Sequence, residues 1–120
     1  MDNGGNIVYK KSYSFAIRIV KLYQFLTEKK VYSLADQILR SGTSIGALMS
    51  EADHAQSKAD FLSKSNIALK EAKETYYWLS LLHDTGYITD VQYDSLIKDC
   101  EEILKLLVSI VKTTKERLNK

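Results

Sequence analysis

The stretch RSGTSIGALMSEA, residues Arg40–Ala52, places Gly42 and Gly46 four positions apart inside a pattern that is otherwise typical of an amphipathic helix. A glycine in a helix interior costs about 1 kcal/mol relative to alanine. A phosphate-binding loop is not indicated, because no strand precedes the stretch and no lysine follows its last glycine. The spacing instead predicts a bare strip against which a second helix packs closely, in the same bundle or from another subunit. The alternative is a kink in a solvent-facing helix.

Apolar residues recur at three- and four-residue steps in four segments, which predicts four helices. We expect helix 1 to begin at Ser12, with Ser12 or Ser14 as its cap, and residues 1–11 to be a disordered N-terminal segment. The other helices are expected over about 33–54, 59–83 and from about 90 onwards. Residues 12–120 then form one all-α domain, and the short connections favour an up-down-up-down four-helix bundle.

Three local signals mark the predicted helix ends. Ser57 with Asp60, and Thr89 with Gln92, have the spacing of a capping box at a helix N-terminus. Gly86 suits the position just after a helix C-terminus, where the backbone often turns left-handed.

The composition is that of a soluble domain kept in a reducing compartment. Apolar residues make up 45% and charged residues 27% of the 120 residues, and proline is absent. The single cysteine, Cys100, excludes an intrachain disulfide and falls in an apolar helical pattern, which favours an inert buried thiol. No apolar run approaches the roughly 20 residues that span a bilayer, so no membrane partner is expected and the predicted location is the cytoplasm.

Charge is unevenly distributed although the net charge is only +2. Residues 1–30 carry +4 and residues 105–120 carry +4, whereas the stretch between them carries −6. An up-down-up-down bundle brings both basic segments to the same end of the molecule. The predicted basic pole, a possible contact surface for RNA or DNA, consists of Lys10, Lys11, Lys112, Lys115, Arg117 and Lys120.

Four charged residues lie beside apolar positions, and the sequence allows two interpretations of them: Arg40, Glu51, Glu71 and Glu74. An arginine paired with carboxylates would fix the register between helices or subunits, and plain solvent exposure is the alternative. A di-metal site that adds His54 requires two Glu-x-x-His pairs, and the chain has one. A metal-dependent enzyme is the second alternative, and we predict no catalytic residues, no cofactor and no small-molecule substrate.

Tyrosine is abundant, with 8 residues against one Trp and three Phe. One interpretation is a bundle core in which the hydroxyls reach the surface, and the other is an association surface. Tyr76, Tyr77 and Trp78 are consecutive, so they span more than half of a helix circumference and cannot all face one core. We expect Tyr77 and Trp78 to contribute to helix or subunit packing.

The central half of the chain resembles a known family. Residues 34–82 are similar to the bacterial four-helix-bundle proteins encoded in intervening sequences of large-subunit ribosomal RNA genes, which are often labelled ribosomal-protein-like. The match includes Ser-Ile-Gly, a Glu-Ala pair, an aromatic after an acid and Glu-Ala-x-Glu-Thr-x-Tyr-Trp-Leu. These motifs are carried by Gln37, Arg40, Ser44, Ile45, Gly46, Glu51, Ala52, Asp60, Phe61, Ile67, Ala68, Glu71, Ala72, Glu74, Thr75, Tyr77, Trp78 and Leu79. The chain departs from the family at Leu48, where an asparagine is usual, so any contact of that asparagine does not carry over.

The resemblance implies a cytoplasmic, non-enzymatic bundle that assembles into ring-shaped homo-oligomers, commonly pentamers. A related branch, the accessory variability determinants of diversity-generating retroelements, is similar to a basic pentamer that binds a reverse transcriptase and nucleic acid. The implied partners are therefore other copies of this chain and, as an alternative, RNA, DNA or a nucleic-acid enzyme.

Overall fold

Four α-helices form the whole of the described structure, a computed structural model that covers the backbone of residues 3–119 and the side chains of residues 6–119. The helices are α1 (Asn3–Glu28), α2 (Ser33–Ala52), α3 (Lys58–Asp84) and α4 (Asp90–Leu118). The predicted all-α class with four helices is confirmed. Helices α2 and α3 begin and end within two residues of the predicted bounds, and α4 begins at the predicted residue and continues to Leu118.

The first helix is longer than predicted. It begins at Asn3, so residues 3–11 are helical and the expected disorder of this part is wrong, while residues 1 and 2 lie outside the described residues. Val8 is fully buried and continues the spacing of Phe15 and Ile19 toward the N-terminus. Ser12 is also fully buried in mid-helix and is not a cap. A polar residue at this core position interrupts the apolar pattern, which is why the sequence predicted the helix start there.

The predicted signals at the other helix ends are present. Ser57 Oγ accepts a hydrogen bond from the Asp60 amide at 3.0 Å, and Thr89 and Gln92 form a complete capping box. Gly86 follows α3 with φ 84°, in the left-handed region where a side chain is disfavoured. These caps supply partners for backbone groups that have none within their own helix.

Consecutive helices run antiparallel and surround one apolar core. Gly42 of α2 lies against Ile19 of α1, and Cys100 Sγ of α4 lies 3.5 Å from the Ala72 carbonyl oxygen of α3. Helix α1 also packs against α4, less extensively than against α2, and this closes the bundle. The largest fully buried side chains are Phe15, Ile19, Leu26, Ile38, Ile45, Met49, Leu79, Leu82, Ile103, Leu107, Val8 and Thr75.

Polar groups enter this core at several small residues. Thr75 Oγ1 lies 3.0 Å from Ser41 Oγ and 2.8 Å from the Glu71 carbonyl oxygen, so the buried hydroxyls of α2 and α3 satisfy one another. The hydroxyls of Ser12 and Ser65 are buried without a hydrogen-bond partner in the described part of the chain. At the Ser12 position, the packing of α1 against α2 therefore depends on close van der Waals contact and not on hydrogen bonds.

The two glycines of α2 are both buried against α1. A Cβ atom built on Gly42 would lie 2.8 Å from both Cγ1 and Cγ2 of Ile19, which is closer than a real Cβ contact. A Cβ atom on Gly46 would meet the backbone carbon and the Cβ of Ser12 at 3.5 and 3.6 Å, an ordinary van der Waals distance. The predicted bare strip therefore receives a helix of the same chain, and the glycines themselves do not indicate a second subunit.

Alanine substitutions at the two glycines should have opposite effects. Gly46→Ala has room for its methyl group and gains helix propensity, so the free energy of unfolding should rise by up to about 1 kcal/mol. Gly42→Ala forces Ile19 away, and Ile19 cannot rotate freely because β-branched side chains are stiff in a helix. The expected cost of this overpacking is about 1–3 kcal/mol. Urea unfolding followed by circular dichroism measures both, and a Gly42→Ala variant as stable as the wild type would contradict the packing described.

Candidate interaction surfaces

An ion-pair cluster joins the exposed edges of α2 and α3. Arg40 Nη1 donates to Glu71 Oε2 at 3.0 Å, and Arg40 Nη2 contacts Glu74 Oε2. Trp78 Nε1 donates to the same Glu74 oxygen at 2.9 Å. Glu71 is largely buried, whereas Arg40 is half exposed. The cluster therefore clamps two helices of one chain, and its exposed side remains available for a further contact.

The fourth residue of this predicted set, Glu51, lies elsewhere. Glu51 Oε1 is 3.4 Å from Lys64 Nζ, and the ring of His54, in the turn after α2, bonds the Ser50 carbonyl oxygen at 3.1 Å. Glu71 and Glu74 are engaged by Arg40, so the structure does not bring the four groups of the metal hypothesis together. Within residues 6–119, no three or more His, Cys, Asp or Glu side chains are grouped so that they could hold a metal ion.

Tyr77 and Trp78 stand next to one another on the outside of α3. Their rings contact edge to face, with centroids 5.0 Å apart, and Tyr77 is 56% exposed. Trp78 is partly buried against the core beside Glu74. Trp78 therefore contributes to packing within the chain, and Tyr77 presents its ring to the surroundings.

The predicted basic pole is only partly assembled. Helix α1 starts and helix α4 ends at the same end of the bundle, so Lys112, Lys115 and Arg117 are near the α1 N-terminus, and Lys120 lies outside the described residues. Lys11 is about two turns further in and pairs with Glu102 of α4. Acidic residues share this end. Because α2 ends and α3 begins there, they include Glu51, Asp53 and Asp60, and α4 itself adds Glu116. The pole therefore carries both signs of charge.

An uncharged apolar strip, which we call the α1 face, runs along the outside of α1. It consists of Tyr9, Tyr13, Ile17 and Val20; Tyr13 is 58%, Ile17 46% and Val20 40% exposed. The rings of Tyr9 and Tyr13 lie 6.4 Å apart. Apolar residues exposed in a continuous strip are typical of an interaction site, whereas single ones are not. Sequence reasoning missed this strip, although the spacing of residues 13, 17 and 20 marks one helix face.

A second exposed apolar strip, which we call the α4 face, lies on the outer surface between α3 and α4. It consists of Tyr76, Leu104 and Val108; Tyr76 is 37% and Val108 50% exposed. Leu104 is partly buried against the core. Tyr93, the largest cause, then burial, and then Glu101, which borders the strip, raise the pKa of Tyr76. Tyr76 therefore stays a neutral phenol at physiological pH.

The cleft between α1 and α4 is shallow and crossed by polar bridges. Arg18 Nη1 donates to Asp99 Oδ2 at 2.6 Å, and Arg18 Nη2 donates to Ser95 Oγ at 2.7 Å. Between this bridge and the pair of Lys11 with Glu102, a depression is floored by Phe15 and Ile103. The charged groups here neutralise one another across the cleft, so they bind the helices together.

A thiol and an imidazole are groups that can take part in catalysis, but the surroundings of Cys100 and His83 indicate structural roles. Burial, the largest cause, raises the pKa of the Cys100 thiol to about 12, so a reactive thiolate does not form. The His83 ring bonds Asp90 Oδ1 through Nε2 at 2.6 Å and Asp84 Oδ1 through Nδ1 at 2.9 Å. It also stacks on Tyr93, with centroids 4.5 Å apart. Hydrogen bonding to Asp90 and then to Asp84 raises the pKa of His83.

Comparison with known proteins identifies the family. The model of the 23S rRNA-intervening sequence protein family matches residues 5–109. The chain belongs to this family. It is similar to a protein of unknown function from the S23 ribosomal protein family of Bacteroides thetaiotaomicron VPI-5482, whose crystal structure was determined at 1.70 Å. The two share 59% sequence identity and a TM-score of 0.88, over 91% of this chain and 98% of the other. No curated protein matches the chain.

The family match confirms the resemblance seen in the sequence, and it assigns no activity. The related protein is described as being of unknown function. No helix of the described structure is both long and apolar enough to cross a membrane. The 23S rRNA of the family name refers to the intervening sequence and not to a demonstrated ligand of this chain.

Protonation of His83 should stabilise the α3–α4 connection. Contacts to carboxylates at both ring nitrogens require both nitrogens to carry a proton, so folding favours the imidazolium and raises its pKa above 6.5. The stabilisation is fully present below the pKa of the unfolded chain and is lost as pH rises through the folded pKa. The difference in unfolding free energy between wild type and His83→Gln should therefore be larger at about pH 5 than at about pH 8.5.

The control for this measurement is Asp90→Asn, which removes the largest cause of the shift and should reduce its pH dependence. Urea unfolding at both pH values gives the differences. An equal effect of His83→Gln at both pH values would show that the ring contributes only by stacking on Tyr93.

Proposed function

We propose that the protein is a non-enzymatic scaffold that works as a homo-oligomer, a ring and by resemblance a pentamer, whose outer surfaces bind a further partner. The observation that carries this proposal is the α1 face. Three exposed apolar residues, Tyr13, Ile17 and Val20, continue from half-buried Tyr9 on a helix whose opposite side is packed into the core, with no charged residue among them. Depletion of charge and enrichment in tyrosine distinguish the centre of an interface from the rest of a protein surface.

Two further features support association rather than catalysis. The carboxylates of the Arg40 cluster are neutralised within the chain, and the cysteine is buried, so the described residues present no activated nucleophile. The tyrosine-rich exterior gives large contact areas at a low cost in side-chain entropy. The chain therefore offers surfaces to bind with.

Light scattering coupled to size exclusion tests the proposal. The wild type should elute as an assembly, with five times the 13.7 kDa chain mass for a pentamer. Ile17→Glu places a charge in the middle of the α1 face and should yield a folded monomer, because an unpaired charge in an apolar contact is strongly unfavourable.

Ile67→Glu is the matched control, because Ile67 is 45% exposed on α3 and lies outside both apolar strips. This variant should keep the wild-type mass. A wild-type monomer at micromolar concentration, with native circular dichroism, would refute the scaffold proposal.

A specific observation also favours a second candidate function, low-specificity binding of RNA or DNA. Lys112 and Lys115 are exposed one turn apart at the end of α4, and a ring whose subunits all point the same way repeats them around one rim. Affinity for single-stranded RNA should fall steeply between low and physiological salt, and Lys112→Glu/Lys115→Glu should abolish it. Fluorescence anisotropy measures this, and an affinity that does not change with salt would exclude the rim as the binding surface.

A further inference from the structure

The cleft between α1 and α4 differs from the other three helix contacts in its connectivity. Residues 29–32 join α1 to α2, residues 53–57 join α2 to α3, and residues 85–89 join α3 to α4. Short loops limit how far two consecutive helices can separate. Helices α1 and α4 are instead the first and the last, so among the four described helices theirs is the contact that no loop holds closed.

Packing is also sparsest along this cleft, where α1 contacts α4 less extensively than consecutive helices contact one another. Two depressions interrupt the contact. One, with a volume of about 290 Å³, is floored by Phe15 and Ile103, and the other, of about 340 Å³, is lined in part by Leu22, Phe25 and Leu96. Atoms that border such a space lose dispersion contacts on one side. Less apolar contact therefore holds α1 against α4 than holds the other helix pairs.

Polar bridges supply part of the attraction across the cleft. Lys11 pairs with Glu102, and Arg18 pairs with Asp99 and donates to Ser95 Oγ. The side chains of these two ion pairs are between 38% and 48% exposed. Exposed ion pairs are weak, and dissolved salt screens them. The attraction between α1 and α4 therefore depends on ionic strength.

We propose that the bundle opens at the cleft between α1 and α4 while the other three helix contacts stay formed, and that the Lys11 and Arg18 bridges act as a salt-sensitive latch. A local opening of this kind requires less free energy than global unfolding, because it exposes only part of the core. The inference goes beyond the scaffold proposal, since it concerns a motion within one chain and not the association of chains.

The closed form remains the dominant one, because the floor of the cleft is apolar and well packed. Phe15 and Ile103 are 1% exposed, Leu22 5% and Leu96 6%. Opening brings these side chains into water, at a cost that grows with the apolar area exposed. The open form is therefore a minor state, and it presents an apolar strip that the closed form hides.

Thiol labelling of the full chain tests the opening. In a Cys100→Ala background, Leu22→Cys reports on the cleft, and Ser41→Cys reports on the α2–α3 contact, where Ser41 is fully buried beside Thr75. Urea unfolding of each variant gives its own equilibrium constant for global unfolding, which corrects for destabilisation by the substitution. Leu22→Cys should be labelled at least about tenfold faster than global unfolding allows, whereas Ser41→Cys should be labelled at the rate that global unfolding sets.

The salt dependence of labelling at Leu22→Cys tests the latch, and the rate should rise as added sodium chloride screens the bridges. Lys11→Gln/Arg18→Gln should raise the rate at low salt, by up to about fivefold for each bridge, and remove most of the salt dependence. Lys98→Gln/Lys105→Gln is the matched control. It removes the same charge from exposed side chains of α4 that take part in none of the ion pairs within residues 6–119, so the rate should not change.

Two results would overturn the inference. If Leu22→Cys is labelled only as fast as its global unfolding allows, the cleft does not open separately from the rest of the bundle. If Lys11→Gln/Arg18→Gln changes labelling no more than the control does, the bridges are not a latch. Neither result alters the mass measured by light scattering, so the scaffold proposal stands or fails independently.

Discussion

The close approach of α1 to α2 at Gly42 and Gly46 is the constraint on which the exterior of this molecule depends. With Ile19 pressed against bare backbone, the rotation of α1 about its own axis is fixed. That rotation decides which residues contact α4 and which are left outside. A rotation of α1 by one residue would bury Tyr13 and Val20 and expose Ser12 and Ile19. The apolar strip on the surface is therefore a consequence of the same packing that fills the core.

Different pairs of helices are held together by different kinds of contact, apolar packing in one pair and polar bridges in others. Helices α1 and α2 meet through glycine and contain no ion pair among the described residues, so their register is set by shape. Helices α2 and α3 add the Arg40 cluster, in which largely buried Glu71 is compensated by a guanidinium. Such a pair contributes more to register than to stability, because desolvation offsets most of the attraction. The α1–α4 pair relies on exposed bridges, which salt screens.

The sequence was a sufficient guide to the helices and their connections, because these depend on local signals. The period of apolar residues, the box at Thr89 and the glycine at 86 each act within a few residues. Prediction failed at Ser12, where a hydroxyl occupies a core position and imitates a cap. The pairing of Arg40 with two of three candidate glutamates could be anticipated only as one of several options, since it depends on how α2 and α3 are aligned. Glu51 has the same local sequence pattern but is level with Lys64.

The surface could be predicted least, because exposure depends on the packing of the whole molecule. The sequence predicts that the glycines receive a second helix, of the same bundle or of another subunit, and only the structure shows that this helix is α1 of the same chain. The predicted basic pole was assembled from lysines and an arginine near the two chain ends. The prediction did not include the acidic residues that α2 and α3 place at the same end of the bundle. Of the residues in that group, Lys11 pairs with Glu102 and Lys10 lines the cleft between α1 and α4, whereas Lys112 and Lys115 lie at the end of α4. The lysines thus divide into Lys10 and Lys11, in the cleft between α1 and α4, and Lys112 and Lys115, about 15 Å further along the bundle axis. Because the two sets do not overlap, charge reversal at Lys112 and Lys115 tests the proposed nucleic-acid binding without removing the ion pair of Lys11 with Glu102.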